Sequence, residues 1–310
     1  MTILIAGATG LVGSALLREY KKLGSSTIGI SSKDVNLLDR SATFEYIKNL
    51  NPRMIIDAAA KVGGIGATSS FPVKFLSENI QIQTNLIDAA HHAGVEKFVF
   101  LGSSCIYPRD CTQPIKEDYI LTGALESTNS AYSIAKLAGI ELIKSYRKEY
   151  GHAWISVMPS NLYGPNDNFD IENGHVLATL IRKIFEAKNL NSQTINLWGT
   201  GVARREFLHV DDLAKAVIFC SEHYDSDSII NIGTGTDITI KELAEKIADI
   251  INFKGEFIWD TSRPDGTIQK LLDIGKISKL GWKPTINLDQ GIKMTVEWYQ
   301  KNQHLSNSGK

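Results

Sequence analysis

The stretch Thr2-Ile3-Leu4-Ile5-Ala6-Gly7-Ala8-Thr9-Gly10-Leu11-Val12-Gly13 decides the fold of this chain. Thr2 to Ala6 predict an apolar strand, and Ser14 to Leu23 have helical periodicity. The glycines between them are typical of a loop that binds a dinucleotide. The first permits a tight turn, the second lets the backbone approach a pyrophosphate, and the third lets helix and strand pack closely. An ordinary strand-to-helix turn is the less favoured interpretation.

Further strands and helices alternate along the chain. This order predicts parallel strands joined by crossover helices, and hence an α/β fold with a doubly wound parallel sheet. Lys61 to Gly66 is predicted to be a flexible loop at the edge of that sheet. The further predicted strands are Ser26 to Ile30, Met54 to Ala60, Val95 to Leu101, Trp154 to Met158, Ile195 to Trp198 and Ile229 to Ile232, and the predicted helices include Pro72 to Ala93, 131–150 and His209 to Ser221.

The composition bounds the function classes. With 310 residues, 43% hydrophobic and 22% charged, the chain is long enough for one large or two modest globular domains. Its formal net charge of −1 gives no overall field that attracts nucleic acid or a membrane, and no apolar run reaches the length of a membrane span. The 3 cysteines lack metal-ligand spacing, so we expect no disulfide framework, no metal site and a reducing, cytoplasmic location. The tail from about Gln303 is predicted to be disordered.

Small reactive side chains follow the fourth predicted strand. Gly102 ends that strand, and Ser103, Ser104 and Cys105 come directly after it. Ligands of open α/β sheets bind beyond the carboxyl ends of the strands, so two hydroxyls and a thiol at this place suggest a reaction site. In an extended backbone, Ser103 and Cys105 would point the same way. For this stretch alone, a tight turn with Cys105 buried as a small hydrophobe is an equally good interpretation.

The end of the second predicted strand bears on the choice of cofactor. Enzymes that use NAD usually have an acidic residue here for the ribose hydroxyls, whereas this strand is followed by Ser31, Ser32 and Lys33. Two hydroxyls and a lysine suit a 2′-phosphate better, so the sequence favours NADP, with a solvated loop as the alternative. Asp39, just before a predicted helix, is a candidate helix cap or adenine contact.

Tyr132 and Lys136 form a candidate acid-base pair. They are four positions apart in a predicted helix, so they share one face. A nearby cation is expected to lower the pKa of the Tyr132 hydroxyl toward neutral pH, which would make it a usable general acid or base. This spacing is common by chance, and it becomes specific only together with the glycine loop and Ser103.

These motifs together resemble the extended short-chain dehydrogenase/reductase family. The resemblance rests on Gly7-x-x-Gly10-x-x-Gly13, Ser103 and Tyr132-x-x-x-Lys136, and it implies a Rossmann sheet with a smaller, interleaved C-terminal α/β domain for the substrate. Within this family, the chain resembles the 3,5-epimerase-4-reductases that convert GDP-4-keto-6-deoxy-D-mannose to GDP-L-fucose with NADPH. The closer resemblance lies in Ala58 to Ile65, Leu101 to Pro108, Pro159 to Pro165, and Trp198 to Gly201 with Arg204 to Asp212.

Two positions depart from the pattern of many bacterial members. Thr9 stands where an arginine often helps to bind the 2′-phosphate, and Ser32 stands at another position that is often basic. The segment Gly174-His175-Val176 differs from the usual Ser-His-Val but keeps its histidine.

The resemblance implies two reactions at one site. Cys105 and His175 would be the acid and base that invert carbons 3 and 5 through enolates, with the role of each left open. During the reduction of carbon 4, Tyr132 would donate a proton to the forming alkoxide. Lys136 would bind the nicotinamide ribose and tune the tyrosine, and Ser103 would hydrogen-bond the substrate oxygen.

The same resemblance implies the binding residues, the domain division and the assembly. The cofactor domain would span 1–162, with about 206–233 returning to it, and the substrate domain would span 163–310. Homodimers would form through the helices at about 72–93 and 131–150. The cofactor would contact Gly7, Thr9, Gly10, Leu11, Val12, Gly13, Ser31, Ser32, Lys33, Asp39, Leu101, Gly102, Ser104, Lys136, Pro159, Asn161 and Leu162, and the GDP-sugar would contact Asn161, Lys183, Trp198, Arg205, Asp265 and Lys270.

Three other functions remain open at this point. The first is the same chemistry on a related GDP-keto-sugar of the colitose type. The second is a nucleotide-sugar 4-epimerase that retains NAD, although the presence of Cys105 and His175 argues against it. The third is a catalytically inactive redox-sensing module, although such proteins tend to lose the tyrosine or the lysine that this chain keeps.

Overall fold

Strands and helices alternate through the part of the chain that the computed structural model describes, residues 2–263 and 265–303. The tail predicted to be disordered lies, beyond Gln303, outside this part. In chain order the elements are β1 (Ile3–Ala6), α1 (Leu11–Lys22), β2 (Thr27–Ile30), α2 (Arg40–Leu50), β3 (Met54–Asp57), α3 (Ile65–Ser70), α4 (Pro72–His92), β4 (Lys97–Leu101), α5 (Ser130–Tyr150), β5 (Ile155–Pro159), β6 (Asn161–Tyr163), α6 (Val176–Asn189), β7 (Thr194–Trp198), β8 (Arg204–His209), α7 (Val210–His223), β9 (Ile230–Ile232), β10 (Asp237–Thr239), α8 (Ile240–Ile251), β11 (Glu256–Asp260), β12 (Gln269–Lys270), α9 (Gly275–Leu280) and α10 (Leu288–Lys301).

A six-stranded parallel sheet with the order β2-β1-β3-β4-β5-β9 carries the first half of the chain. Helices α1 and α7 cover one face, and α2, α4 and α5 cover the other, so each face buries its own apolar core. The chain leaves β1 toward β2 and then crosses to β3 on the other side of β1. Such a reversal opens a crevice at the carboxyl ends of β1 and β3, where ligands of doubly wound sheets bind. The predicted α/β fold is confirmed.

A smaller unit of mixed sheet and helices stands against that crevice. Strand β8 pairs with β10, β12 and β6, and β7 pairs with β11 in a separate parallel ribbon. A third apolar core joins these strands to α6, α8 and α10. The chain enters this unit through β6, returns to the large sheet with α7 and β9, and enters it again at β10. The crevice therefore has the large sheet on one side and the smaller unit on the other.

Several element bounds differ from the predicted ones for local reasons. Strand β3 stops at Asp57 instead of Ala60, because the Asp57 carboxylate accepts the N–H of Ala59 (3.1 Å) and turns the chain away from the sheet. The predicted loop Lys61 to Gly66 is shorter than expected, since only residues 61–64 lack regular structure. The Asn79 side chain accepts the N–H of Lys61 (2.8 Å) and donates to its carbonyl (3.0 Å), and α3 begins within the loop at Ile65.

Two helices also begin at other residues than predicted. Helix α1 starts at Leu11, three residues early, with Gly10 as its N-cap. Helix α7 starts after His209, whose Nδ1 accepts the Asp211 N–H at 3.2 Å, so this buried histidine serves as a helix cap. None of the described helices combines the length and apolar character that crossing a membrane would require.

Candidate active site

A cavity of about 840 Å³ fills the crevice between the large sheet and the smaller unit. It reaches from the glycine loop after β1, past the ends of β3, β4 and β5, to the loops around β7 and β12. The predicted site residues Gly13, Lys33 and Asp39 are not among those that line it. The predicted residues that do line it are Gly7, Thr9, Gly10, Leu11, Val12, Ser31, Ser32, Leu101, Gly102, Ser103, Ser104, Cys105, Tyr132, Lys136, Pro159, Asn161, Leu162, His175, Lys183, Trp198, Arg205, Asp265 and Lys270.

The glycine loop fits a dinucleotide. Gly7 has φ +76°, and a Cβ at this position would lie 2.6 Å from the Ala58 carbonyl oxygen, so only glycine is accommodated. Gly10 caps α1 without a side-chain hydrogen bond, which leaves the first N–H groups of the helix facing the cavity for a phosphate. Gly13 acts by packing instead, because a Cβ there would collide with the Gly7 carbonyl.

The end of β2 has a different arrangement from the predicted one. The carboxylate of Asp34 accepts both the N–H and the hydroxyl of Ser31, each at 2.8 Å. Asp39 is the N-cap of α2, accepting the Ala42 N–H at 3.0 Å. Of the two roles predicted for Asp39, the structure supports the cap, since this carboxylate binds its own helix and lies outside the cavity lining.

The turn after β4 brings Ser103 and Cys105 to the cavity, but not in an extended backbone as predicted. Ser104–Ile106 form one turn of 3₁₀ helix, and Ser103 caps it by accepting the Cys105 N–H at 3.2 Å. Ser133 on α5 donates its hydroxyl to the Cys105 carbonyl at 2.8 Å, which fixes the turn to that helix. The tight turn and the site, posed as alternatives by the sequence, are therefore compatible.

Tyr132 and Lys136 lie one turn apart on α5, as predicted, but the expected pKa effect is wrong. Burial raises the pKa of Tyr132 above its ordinary value, with a further increase from the nearby Cys105 and a partial decrease from a hydrogen bond with Ser103. The Lys136 ammonium donates to the Leu101 carbonyl at 2.8 Å and lies 6.0 Å from the Tyr132 ring centre. Tyr132 therefore stays protonated at neutral pH and is able to donate a proton.

Donor groups surround the Cys105 thiol. The Asn129 side-chain amide donates to Sγ at 3.4 Å, and the Lys270 ammonium lies 3.9 Å from the same atom. The half-buried guanidinium of Arg205 also acts on this thiol by its charge. These groups would stabilise a negative charge on Sγ. Asn129 was not predicted as a site residue, because only the fold places its side chain on the cysteine.

His175 is paired with a carboxylate that the sequence did not reveal. Its Nδ1 donates to Asp167 Oδ1 at 2.8 Å, while Asp167 Oδ2 is buried without a hydrogen-bond partner. Burial lowers the pKa of His175, but the charge of Asp167 and this hydrogen bond raise it more, so that the net pKa lies above the ordinary value. The bond to Nδ1 leaves Nε2 for chemistry. Asp167 comes eight positions earlier in an irregular loop, where no sequence periodicity links the two residues.

Basic and aromatic side chains form the far end of the cavity. The Lys183 ammonium lies 5.8 Å from the Trp198 ring centre, and the Arg263 guanidinium lies 4.9 Å from it. Burial lowers the pKa of Lys183 and also that of Arg205. Such desolvated cations gain most from an anionic ligand.

Two of the predicted substrate contacts have structural partners of their own. Asp265 accepts the Thr200 N–H and hydroxyl, at 2.8 and 2.7 Å. Asn161 donates to the Glu206 carbonyl at 2.8 Å, which ties β6 to β8. Both residues still line the cavity.

A glycine loop on a parallel sheet, with Ser103, Tyr132 and Lys136 at one strand end, defines a nucleotide-dependent oxidoreductase of the short-chain dehydrogenase type. The family model "NAD dependent epimerase/dehydratase family" matches residues 3–233, and the chain belongs to this family.

Among its relatives are GDP-L-fucose synthases. It is 49% identical over 302 residues to "Probable GDP-L-fucose synthase 1" of Oryza sativa subsp. japonica, covering 97% of this chain and 92% of the relative. It is 44% identical over 311 residues to "GDP-L-fucose synthase" of Escherichia coli (strain K12), covering 97% of each. The crystal structure of a GDP-L-fucose synthetase from Naegleria fowleri bound to NADP superposes with a TM-score of 0.91 at 30% identity, covering 99% of this chain and 96% of that one. The predicted family resemblance is confirmed.

Proposed function

We propose that this chain inverts carbons 3 and 5 of GDP-4-keto-6-deoxy-D-mannose and reduces carbon 4 with NADPH, giving GDP-L-fucose. The observation that carries the proposal is that two sets of catalytic groups share one cavity. Ser103 with Tyr132 and Lys136 suits a ketone reduction, and Cys105 with His175 suits proton exchange beside that ketone. The names of the relatives point to the same reaction.

In the reduction, Tyr132 is the proton donor to the oxygen at carbon 4. Its raised pKa keeps the hydroxyl protonated until negative charge develops on the substrate oxygen. Ser103, whose hydroxyl is near enough to Tyr132 to lower its pKa in part, is placed to donate to the same oxygen. When bound, NADPH supplies the hydride for carbon 4, held by the glycine loop and by Lys136.

In the epimerisation, Cys105 accepts the proton from carbon 3 or 5 and His175 returns one to the opposite face. The Asn129 amide and the Lys270 ammonium lie against Sγ, and Asp167 favours protonated His175, which supports this assignment of base and acid. The electron pair of the broken C–H bond passes into the enolate of the 4-ketone, and reprotonation from the other side inverts the carbon. Ser103 stabilises the enolate oxygen.

The diphosphate and the guanine bind at the basic end of the cavity. Lys183, Arg205 and Lys270 neutralise the two phosphate charges, and Trp198 stacks near the base. In this division, residues 1–162 with about 206–233 hold the cofactor and residues 163–310 hold the nucleotide sugar.

We also propose a cytoplasmic homodimer. Apolar side chains are exposed on the outer surface of α4 and α5 or at their ends, including Val73, Ile134 and Tyr150. Sedimentation equilibrium should give twice the chain mass. A Val73→Asp Ile134→Asp variant that sediments like the wild type would contradict this interface.

The test of function is the assay of GDP-4-keto-6-deoxy-D-mannose with NADPH in heavy water. We expect one NADPH oxidised per sugar and one deuterium each at carbons 3 and 5. NADPH oxidation without deuterium at carbons 3 and 5 would indicate a reductase that does not epimerise the sugar. NAD that copurifies, with no net NADPH consumption, would indicate a 4-epimerase, and NADPH binding without turnover would indicate an inactive module. Parallel reactions with NADH and with the colitose-type keto sugar rank the cofactors and the substrates.

A further inference from the structure

Asp57 is a buried carboxylate at the end of β3 to which the proposed chemistry gives no role. Its exposure is 0%, and it borders the cavity just after the switch point of the sheet. Oδ1 accepts the Ala59 N–H at 3.1 Å, whereas Oδ2 is buried with no hydrogen-bond partner. An unpaired buried carboxylate oxygen destabilises the folded state, so its presence calls for a reason.

The sheet register places Asp57 beside the catalytic lysine. Asp57 on β3 is the register partner of Phe100 on β4, so the two side chains project from the same face of the sheet. The Lys136 ammonium lies over the Phe100 ring, 4.7 Å from its centre, and donates to the carbonyl of Leu101. Carboxylate and ammonium therefore share the Phe100 side chain as a neighbour, without a hydrogen bond between them.

We propose that Asp57 is a positioning residue that keeps buried Lys136 in its charged form, so that the ammonium stays available to the nicotinamide ribose of NADPH. Lys136 is only 3% exposed. Burial lowers its pKa, and the charge of Asp57 opposes this. In return, burial raises the pKa of Asp57 to about 6, with Lys136 and the Ala59 N–H opposing. The charge of Asp57 therefore favours the ammonium form of Lys136.

Among the described residues, Asp57 is the one carboxylate whose charge acts on Lys136. Its own helix contributes Tyr132, which is protonated. Strand β4 contributes the Phe100 ring and the Leu101 carbonyl. Helix α4, packed on α5, contributes the neutral amide of Gln83, which donates to the Ala135 carbonyl at 2.6 Å. Asp57 is therefore the group whose removal should change the charge state of Lys136.

The test compares NADPH binding by the wild type and by Asp57→Asn between pH 6 and 10, followed by cofactor fluorescence. Asparagine keeps the shape and the acceptor for Ala59 but removes the charge. We expect similar dissociation constants at low pH, and a loss of affinity that begins about one pH unit earlier in the variant, giving a difference of about tenfold on the alkaline side. The phosphates of NADPH titrate alike in both proteins, so they cancel in the comparison.

Controls separate this role from a structural one. Asp57→Leu, which suits the apolar core, should reproduce the shift of Asp57→Asn and serves if the asparagine variant folds poorly. In a Lys136→Met background, Asp57→Asn should have no pH-dependent effect. Parallel binding curves for wild type and variant would overturn the proposal. So would an equal loss at every pH, which would instead indicate a direct contact between Asp57 and NADPH. The proposal rests on the proposed cofactor role of Lys136, but the assay needs no sugar, so a failure of the sugar reaction is distinguishable from a failure here.

Discussion

The groups proposed for reduction and those proposed for epimerisation, here called the reduction groups and the epimerisation groups, meet in one cavity but are built in different ways. Ser103, Tyr132 and Lys136 lie on a strand end and the next long helix. Two hydrogen bonds fix that helix in place, from Ser133 to the Cys105 carbonyl in the turn and from Lys136 to the Leu101 carbonyl at the end of β4. Cys105 instead faces Lys270, which follows 165 positions later on β12 of the smaller unit. Its partner His175 lies on a third segment, at the start of α6.

This difference separates what local structure determines from what the packing of the two parts determines. The reduction groups depend on the large sheet alone. The epimerisation groups are complete only when the smaller unit packs against that sheet. Substitutions should therefore affect the two activities separately.

The largest effect is expected from Tyr132→Phe. Loss of a positioned general acid lowers turnover by about 10²–10⁴, whereas deuterium exchange at carbons 3 and 5 should persist because Cys105 and His175 are intact. NADPH oxidation and mass spectrometry of the recovered sugar measure the two rates. Tyr150→Phe, an exposed tyrosine on the same helix, is the control. Exchange that disappears together with reduction would mean that the two halves do not act separately.

Cys105→Ser tests the opposite half. A serine hydroxyl is a much weaker acid than a thiol, so we expect deuterium exchange to fall by about 10². NADPH binding should stay unchanged, since the turn is fixed through backbone atoms of residue 105. The matched control is Cys111→Ser, which lies outside the cavity lining. If exchange survives in Cys105→Ser, the thiol is not the base.

The reduction groups were easier to predict from sequence than the epimerisation groups, because they depend on local structure. The glycine loop, the strand end at Gly102 and the Tyr132–Lys136 spacing are local patterns, and local patterns determined the sheet as well. The pKa of Tyr132 was predicted in the wrong direction because burial of the hydroxyl, which a single sequence does not reveal, raises it.

The residues that contact Cys105 and His175 could not be predicted from the sequence. Asp167 and Asn129 become site residues only through loop packing, and a single sequence has no periodicity that joins them to His175 and Cys105. Asp57 was predicted only as part of a strand, and its place near Lys136 follows from the β3–β4 register. Conversely, Asp39 has a good helix-capping signal, and a cap is what it forms.

Asp167→Asn should shift the pH dependence of the epimerisation half alone. The raised pKa of His175 means that its protonated form persists to higher pH and is lost as pH rises through that value. Without the carboxylate, the alkaline limb of deuterium exchange should move down by about one unit, with about tenfold less exchange there.

The pair of His175 and Asp167 should also contribute to the free energy of unfolding, and this contribution should fall with rising pH in the same way. It is fully present below the unfolded-state pKa of histidine and is lost as pH rises through the folded-state value. The excess stability of the wild type over Asp167→Asn should therefore decline on the alkaline side in thermal unfolding. The control is Asp170→Asn, because the Asp170 carboxylate lies in the same loop but accepts the N–H groups of Glu172 and Asn173. An unchanged exchange profile in Asp167→Asn would remove Asp167 from the mechanism.

The smallest effect is expected at the cofactor end of the reduction half, from Lys33→Ala. Lys33 is exposed and outside the cavity lining, and its neighbour Ser31 already has both its N–H and its hydroxyl bound to Asp34. An exposed charge pair with the 2′-phosphate is worth about 0–1 kcal/mol. NADPH affinity should therefore fall by no more than about fivefold, most at low salt, with NADH affinity unchanged. Lys22→Ala, an exposed lysine paired with Glu19 away from the cavity, is the matched control. A loss near a hundredfold would mean that Lys33 closes over the phosphate in a buried contact. The reduction half would then depend on a rearranged loop, as the epimerisation half depends on the packing of the smaller unit, and the contrast between the two halves would not hold.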